Sequence, residues 1–124
     1  AWHAQWPRNG GPQLSRRFKQ DNNRDMVGQD WAAWVAIRSV AAVLLAEPTG
    51  NLIQQANALR STVSVDGYKG PALSYRSWDG QLRQPVFLAH GDGVIGTAPA
   101  DGVLHPTQVL DTLGVDQRES TCKF

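Results

Sequence analysis

Apolar positions change period along this chain, and the changes mark its elements. Between residues 29 and 47 they fall nearly all round a helix, at Trp31, Trp34, Val35, Ile37, Val40, Ala41, Leu44 and Leu45. Such a pattern predicts a helix buried on most of its surface. Asp30 complements the dipole in its first turn, and Pro48 and Gly50 end it. Upstream, Leu14 and Phe18 lie one turn apart, with Arg16, Arg17, Lys19 and Gln20 on the other side. That predicts a short amphipathic helix starting near Pro12 and ending around residues 21–23. Downstream, Leu52, Ile53, Ala56 and Leu59 keep helical spacing, which predicts a third helix from about Asn51.

From residue 62 the period shortens to that of strands. Residues 62–65 alternate, residues 72–75 read as a short strand, and Asp79-Gly80 is turn chemistry. Residues 86–89 and 94–98 read as two strands joined by Gly91-Asp92-Gly93, a hairpin signal. Beyond Pro99 the chain is punctuated by Gly, Pro and Asp, with scattered Leu and Val. Helices first and short strands last give an α+β chain: about three helices, then short strands including a C-terminal hairpin.

Composition narrows the classes. The chain has 124 residues, 41% of them apolar and 19% charged, as in a folded chain rather than a disordered tail. The formal net charge of +1 sets up no dominant field, so nucleic acid is not an expected partner. The basic residues Arg8, Arg16, Arg17, Lys19 and Arg24 cluster early and read as a solvated helix face. Residues 31–46 are interrupted by Arg38 and Ser39 and fall short of the roughly 20 apolar residues that span a bilayer. A lone cysteine, Cys122, leaves no internal disulfide and no multi-cysteine zinc site. Nothing resembling a leader precedes the helices, so the chain reads as a mature or excised product, or one trimmed at its start.

Few residues are arranged for catalysis. Gly91-Asp92-Gly93-Val94-Ile95-Gly96 spells G-x-G-x-x-G, but β-branched residues and Pro99 follow where a dinucleotide motif needs a helix. His3, His90 and His105 are far apart in sequence, with no metal-ligand spacing. No serine sits in a nucleophile elbow. The expectation is therefore no catalytic residue, no metal and no cofactor. Of five tryptophans, Trp31 and Trp34 belong to the apolar helix, while Trp2, Trp6 and Trp78 lie in irregular chain. Core packing is the first use of each, and Trp2 with His3 and Trp6 is the best aromatic platform for a ligand.

Five stretches carry a family resemblance. Gly67-Tyr68-Lys69-Gly70-Pro71-Ala72-Leu73-Ser74-Tyr75-Arg76-Ser77-Trp78-Asp79-Gly80-Gln81-Leu82-Arg83-Gln84-Pro85 is the longest. The tail stretches Gly102-Val103-Leu104-His105-Pro106, Leu110-Asp111-Thr112-Leu113-Gly114 and Glu119-Ser120-Thr121-Cys122, and the run Asp30-Trp31-Ala32-Ala33-Trp34, are the others. Together they resemble the C-terminal part of a type I periplasmic solute-binding protein of the amino-acid/amide ABC-transporter class. The similar sub-group accompanies PQQ-dependent alcohol dehydrogenase systems. The resemblance spans most of the chain, and its most specific parts are residues 78–85 and 110–114.

The resemblance implies a two-lobed α/β protein, of which residues 1–124 would be a single partial domain. It implies a non-catalytic solute receptor in a bacterial periplasm. Its partners would be the N-terminal portion or a complementary chain, an ABC-transporter permease and a small-molecule ligand. The alternative is a structural protein that docks on a periplasmic dehydrogenase or on a complementary chain. By the same resemblance the stretch entering the long helix (Met26, Val27, Gly28, Gln29, then Trp31) approaches the hinge and the ligand, and the turn holding Trp2 and His3 lies near the interlobe region, which makes Trp2, His3, Gln29 and Trp31 the candidate contacts. Asp79 and Arg83, distinctive of the sub-group, read first as an ion pair or turn support. An apolar helix without its partner lobe is expected to expose a patch and self-associate.

Overall fold

Pro12 and the absence of β-branched residues start α1 (Gly11–Asn22), which ends where Asn23 takes a left-handed conformation in the computed structural model. The structure describes residues 2–122. The long helix α2 (Gly28–Ala46) begins where Asp30 reaches back to the Val27 N–H at 3.0 Å. Arg24 grips the same carboxylate with two bonds, of 2.6 and 2.8 Å. Asn51 and Gln54 form a reciprocal capping box, at 3.0 and 2.8 Å, that opens α3 (Leu52–Ser61).

Two small antiparallel sheets follow. The first is β1 (Ser64–Val65), β2 (Leu73–Tyr75) and β3 (Leu82–Arg83), with Val65 opposite Leu73 and Ser74 opposite Arg83. The second is the hairpin of β4 (Val86–His90) and β5 (Gly93–Ala98), with a bulge between Leu88 and Ala89. The glycine-rich hexapeptide thus forms a hairpin turn and its outgoing strand. A short 3-10 turn, Val109–Thr112, is the last regular element. The described residues are therefore α+β, with three helices and two small sheets.

The core is built on tryptophan. Trp31 (1% exposed) stacks nearly parallel to Trp2, with centroids 6.2 Å apart, and Phe87 of β4 packs on Trp6 at 4.5 Å. Val35, Val43, Ala58, Val65 and Leu73 complete it. Two of the core tryptophans fasten the loop at residues 66–70: the Trp31 indole N–H donates to the Gly67 carbonyl at 3.0 Å, and that of Trp6 to the Tyr68 carbonyl at 2.9 Å. Gly67 must be glycine, because a Cβ there would lie 2.3 Å from a Leu73 methyl and 3.0 Å from the Trp31 ring. Ser39, the polar residue in the buried stripe of α2, is satisfied by the Val35 carbonyl and the Tyr75 hydroxyl, each at 2.9 Å.

One expectation fails. The all-round apolar pattern predicts a helix covered on most sides, yet α2 buries only the stripe Trp31, Val35, Ser39 and Val43. The residues of this chain pack one side of α2, with α3 and β1 its contacting elements. Ile37, Val40, Leu44 and Leu45 are left facing outward.

Candidate functional site

The structure brings Trp2 and His3 together with the chain that enters α2. They form one wall of an open cleft of about 450 Å3, whose other wall is Asp25, Val27 and Gly28, with Asp92 of the hairpin turn at its edge. A backbone turn, Trp6 N–H to His3 carbonyl at 3.0 Å, presents the imidazole. The Gln5 N–H donates to His3 Nδ1 at 3.2 Å, so the neutral ring carries its proton on Nε2. Trp31 stands behind Trp2 as its stacking partner, in the core rather than at the cleft surface. Gln29, exposed in the first turn of α2, follows Gly28 but is not part of the wall.

Carboxylates give the cleft its chemical character. Asp25 and Asp92 supply them, and Asp25 is already paired with Lys19 at 2.9 Å in an exposed bridge. The Trp2 indole N–H also has no acceptor among the described residues, but it is itself buried rather than open to the cleft. The arrangement suits a small polar solute and holds no paired nucleophile and base.

The specific run at residues 76–83 does something else. Arg76 is buried, and its Nε–H donates to Asp111 Oδ1 at 2.8 Å while its Nη2 donates to the Leu113 carbonyl. Arg83 makes two further bonds to the same carboxylate, at 2.7 and 3.0 Å. Burial alone would raise the Asp111 carboxyl, but the bonds from Arg83 and Arg76 outweigh it and hold the pKa below the usual range. Asp79 lies 3.5 Å from Arg76, and Trp78 lies against both guanidiniums, 5.5 Å from Arg76 and 5.1 Å from Arg83. Asp79 and Arg83 thus belong to a clasp that fastens the tail to the first sheet.

Lys69 is the charged residue that sequence reading missed. Only 2% exposed, its ammonium lies 4.1 Å from the Trp31 ring centre and 4.7 Å from that of Phe87. It donates to Gln84 Oε1 at 2.7 Å and to the Pro85 carbonyl at 3.0 Å. Between Gly67 and Gly70-Pro71 it reads locally as an exposed turn residue, and no local signal announces its burial.

His105 has the look of a triad member. Its Nε2 lies 3.2 Å from Asp116 Oδ2 and its Nδ1 lies 3.3 Å from Thr107 Oγ1. Yet Nδ1 already accepts the Gln108 and Thr107 backbone N–H groups at 3.2 and 3.4 Å, so the ring ties the loop before the 3-10 turn. No group of three or more His, Cys, Asp or Glu among the described residues is placed to hold a metal ion. No described helix is long and apolar enough to cross a membrane.

The second candidate surface is apolar. Ile37 (71% exposed), Val40, Leu44 and Leu45 (85%) of α2 continue into Leu52 (81%) and Ile53 of α3. Between the helices runs a groove of about 260 Å3 lined by Val40, Val43, Leu44, Leu52, Ala56 and Leu59. Six large apolar side chains exposed on two neighbouring helices are a surface of the kind that marks an interaction site.

Comparison with known proteins brings no match, whether to a protein family, to a curated protein or to a solved structure.

Proposed function

We propose that this chain is the C-terminal portion of a non-catalytic, type I solute-binding protein that serves an ABC transporter linked to PQQ-dependent alcohol oxidation. The observation that carries the reading is the cleft in which Trp2 and His3 meet the entrance to α2. It collects two of the four residues expected to touch solute and backs Trp2 with a third. An open cleft of this size suits half of a site whose other half comes from a second lobe. The apolar face of α2 and α3 fits the same reading, since a lobe of an α/β protein buries its helices against a sheet.

That face also favours a second reading, in which the chain is a structural module docked on a periplasmic dehydrogenase or a complementary chain. Native mass spectrometry on the protein from its source separates the two. A longer polypeptide that contains this sequence, and whose solute affinity falls at least tenfold with His3→Ala, supports the receptor. A species of this chain alone bound to a dehydrogenase overturns it in favour of the module.

A further inference from the structure

A second cleft, of about 270 Å3, lies between α1 and α2 and has Met26 in common with the lining of the Trp2–His3 cleft. Its polar lining includes Arg17 of α1 and Arg38 of α2, and its apolar lining includes Phe18, Trp34 and the ring of Tyr68. Arg17 makes no hydrogen bond or ion pair among the described residues. Arg38 has no carboxylate partner there either; its guanidinium carbon lies over the Trp34 ring, 5.0 Å from the ring centre. A guanidinium held over a ring still has N–H donors to offer, and its planar fork can receive a planar anion through two parallel bonds. Asp21 is the one carboxylate in the lining, so two guanidiniums against it leave the cleft with one net positive charge.

Tyr68 supplies the independent observation. It is a non-glycine residue with φ of 57°, a conformation that persists only where its surroundings impose it. Here they do: Asp66 Oδ1 accepts its N–H at 2.8 Å, the Trp6 indole binds its carbonyl, and its ring stacks on Trp34 at 5.6 Å. The ring also covers Gly10, where a Cβ would lie 2.7 Å from it. The fold thus holds the Tyr68 ring on Trp34 as an aromatic wall, with Arg38 over Trp34 and Arg17 in the same lining.

We infer that this cleft binds a small organic carboxylate with a planar apolar body, its anionic end between Arg17 and Arg38 and its body on Trp34 and Tyr68. The volume is just below the ~300 Å3 at which drug-sized sites begin, which limits the body to about one ring. The inference does not rest on the solute-receptor reading, because every residue it uses comes from α1, α2 and the Tyr68 loop of this chain.

Benzoate is the probe. It is titrated into the 124-residue chain at low salt, followed by indole and amide chemical shifts, with benzamide and benzylamine as controls. Saturable shifts at Trp34 and Tyr68, with benzamide at least tenfold weaker and benzylamine silent, are expected. Arg17→Gln and Arg38→Gln should each weaken benzoate at least fivefold. Arg38→Lys, which keeps the charge and loses the planar fork, should weaken it nearly as much as Arg38→Gln. Arg17 is exposed and unpaired, so Arg17→Gln leaves the fold intact and reads the site even if an Arg38 variant is destabilised. Equal binding of benzamide and benzoate, non-saturable shifts, or benzoate affinity unchanged by Arg17→Gln would overturn the proposal. Shifts confined to Trp2 and His3 would overturn it too, while leaving the receptor reading standing.

Discussion

Lys69 shows how much of this fold turns on single side chains. Two aromatic rings and two carbonyl-type acceptors favour its ammonium, while burial disfavours any charge. Burial wins and pushes the amine down to about 8 from its ordinary 10.5. Between those two values the unfolded chain binds more protons than the folded one, so stability should rise with pH, by up to ~3 kcal/mol across the window. The urea midpoint of the wild-type chain is expected to climb from pH 8 to pH 10. In Lys69→Met, which keeps the stem and loses the titrating group, that climb should disappear. A wild-type midpoint that is flat or falls would mean that the cage outweighs burial. None of this was legible locally. Gly67, Gly70 and Pro71 give a sound turn prediction, and the turn is there. What buries Lys69 is Trp31 from 38 residues upstream and Phe87 from 18 downstream, contacts that only the folded chain creates.

At the scale of elements, strong periodicity was readable and short or non-local structure was not. The three helices stand where the apolar spacing puts them, and the hairpin where Gly91-Asp92-Gly93 puts it. β3, two residues long, carries no pattern of its own; its Arg83 is held by Asp111 of the tail. The tail looked unstructured because its order comes from that buried carboxylate rather than from periodicity. Asp111→Asn would leave Arg76 and Arg83 sharing a neutral oxygen, and breaking a buried pair costs about 3–5 kcal/mol. The expected result is an unfolding free energy lowered by about that amount, read as a urea midpoint lowered by the same figure divided by the m-value. Amide hydrogens of Asp111 and Leu113 should lose protection from exchange, while those of α2 are affected only through global unfolding. A variant with tail protection intact would show that Trp78, whose indole donates to the Val115 carbonyl at 3.3 Å, holds the tail without the ion pairs.

For the whole molecule, the decisive quantity is the apolar surface that α2 and α3 leave open. The sequence pattern announced a helix apolar on nearly every side, but pattern alone does not say which sides the same chain can cover. The fold answers with one buried stripe and a half-buried Trp34, and leaves Ile37, Val40, Leu44 and Leu45 facing outward, a surface of the kind that drives association. The chain at tens of micromolar should therefore sediment as a concentration-dependent mixture of monomer and larger species. Ile37→Glu together with Leu45→Glu places charge at two positions already 71% and 85% exposed in the monomer. Exposed substitutions of this kind move stability by only about 0.5 kcal/mol, so the double variant should keep its melting temperature and sediment as a monomer. A wild-type chain that stays monomeric at several hundred micromolar would mean that this face needs no cover, and the reading of the chain as a docked portion of something larger would lose its physical support.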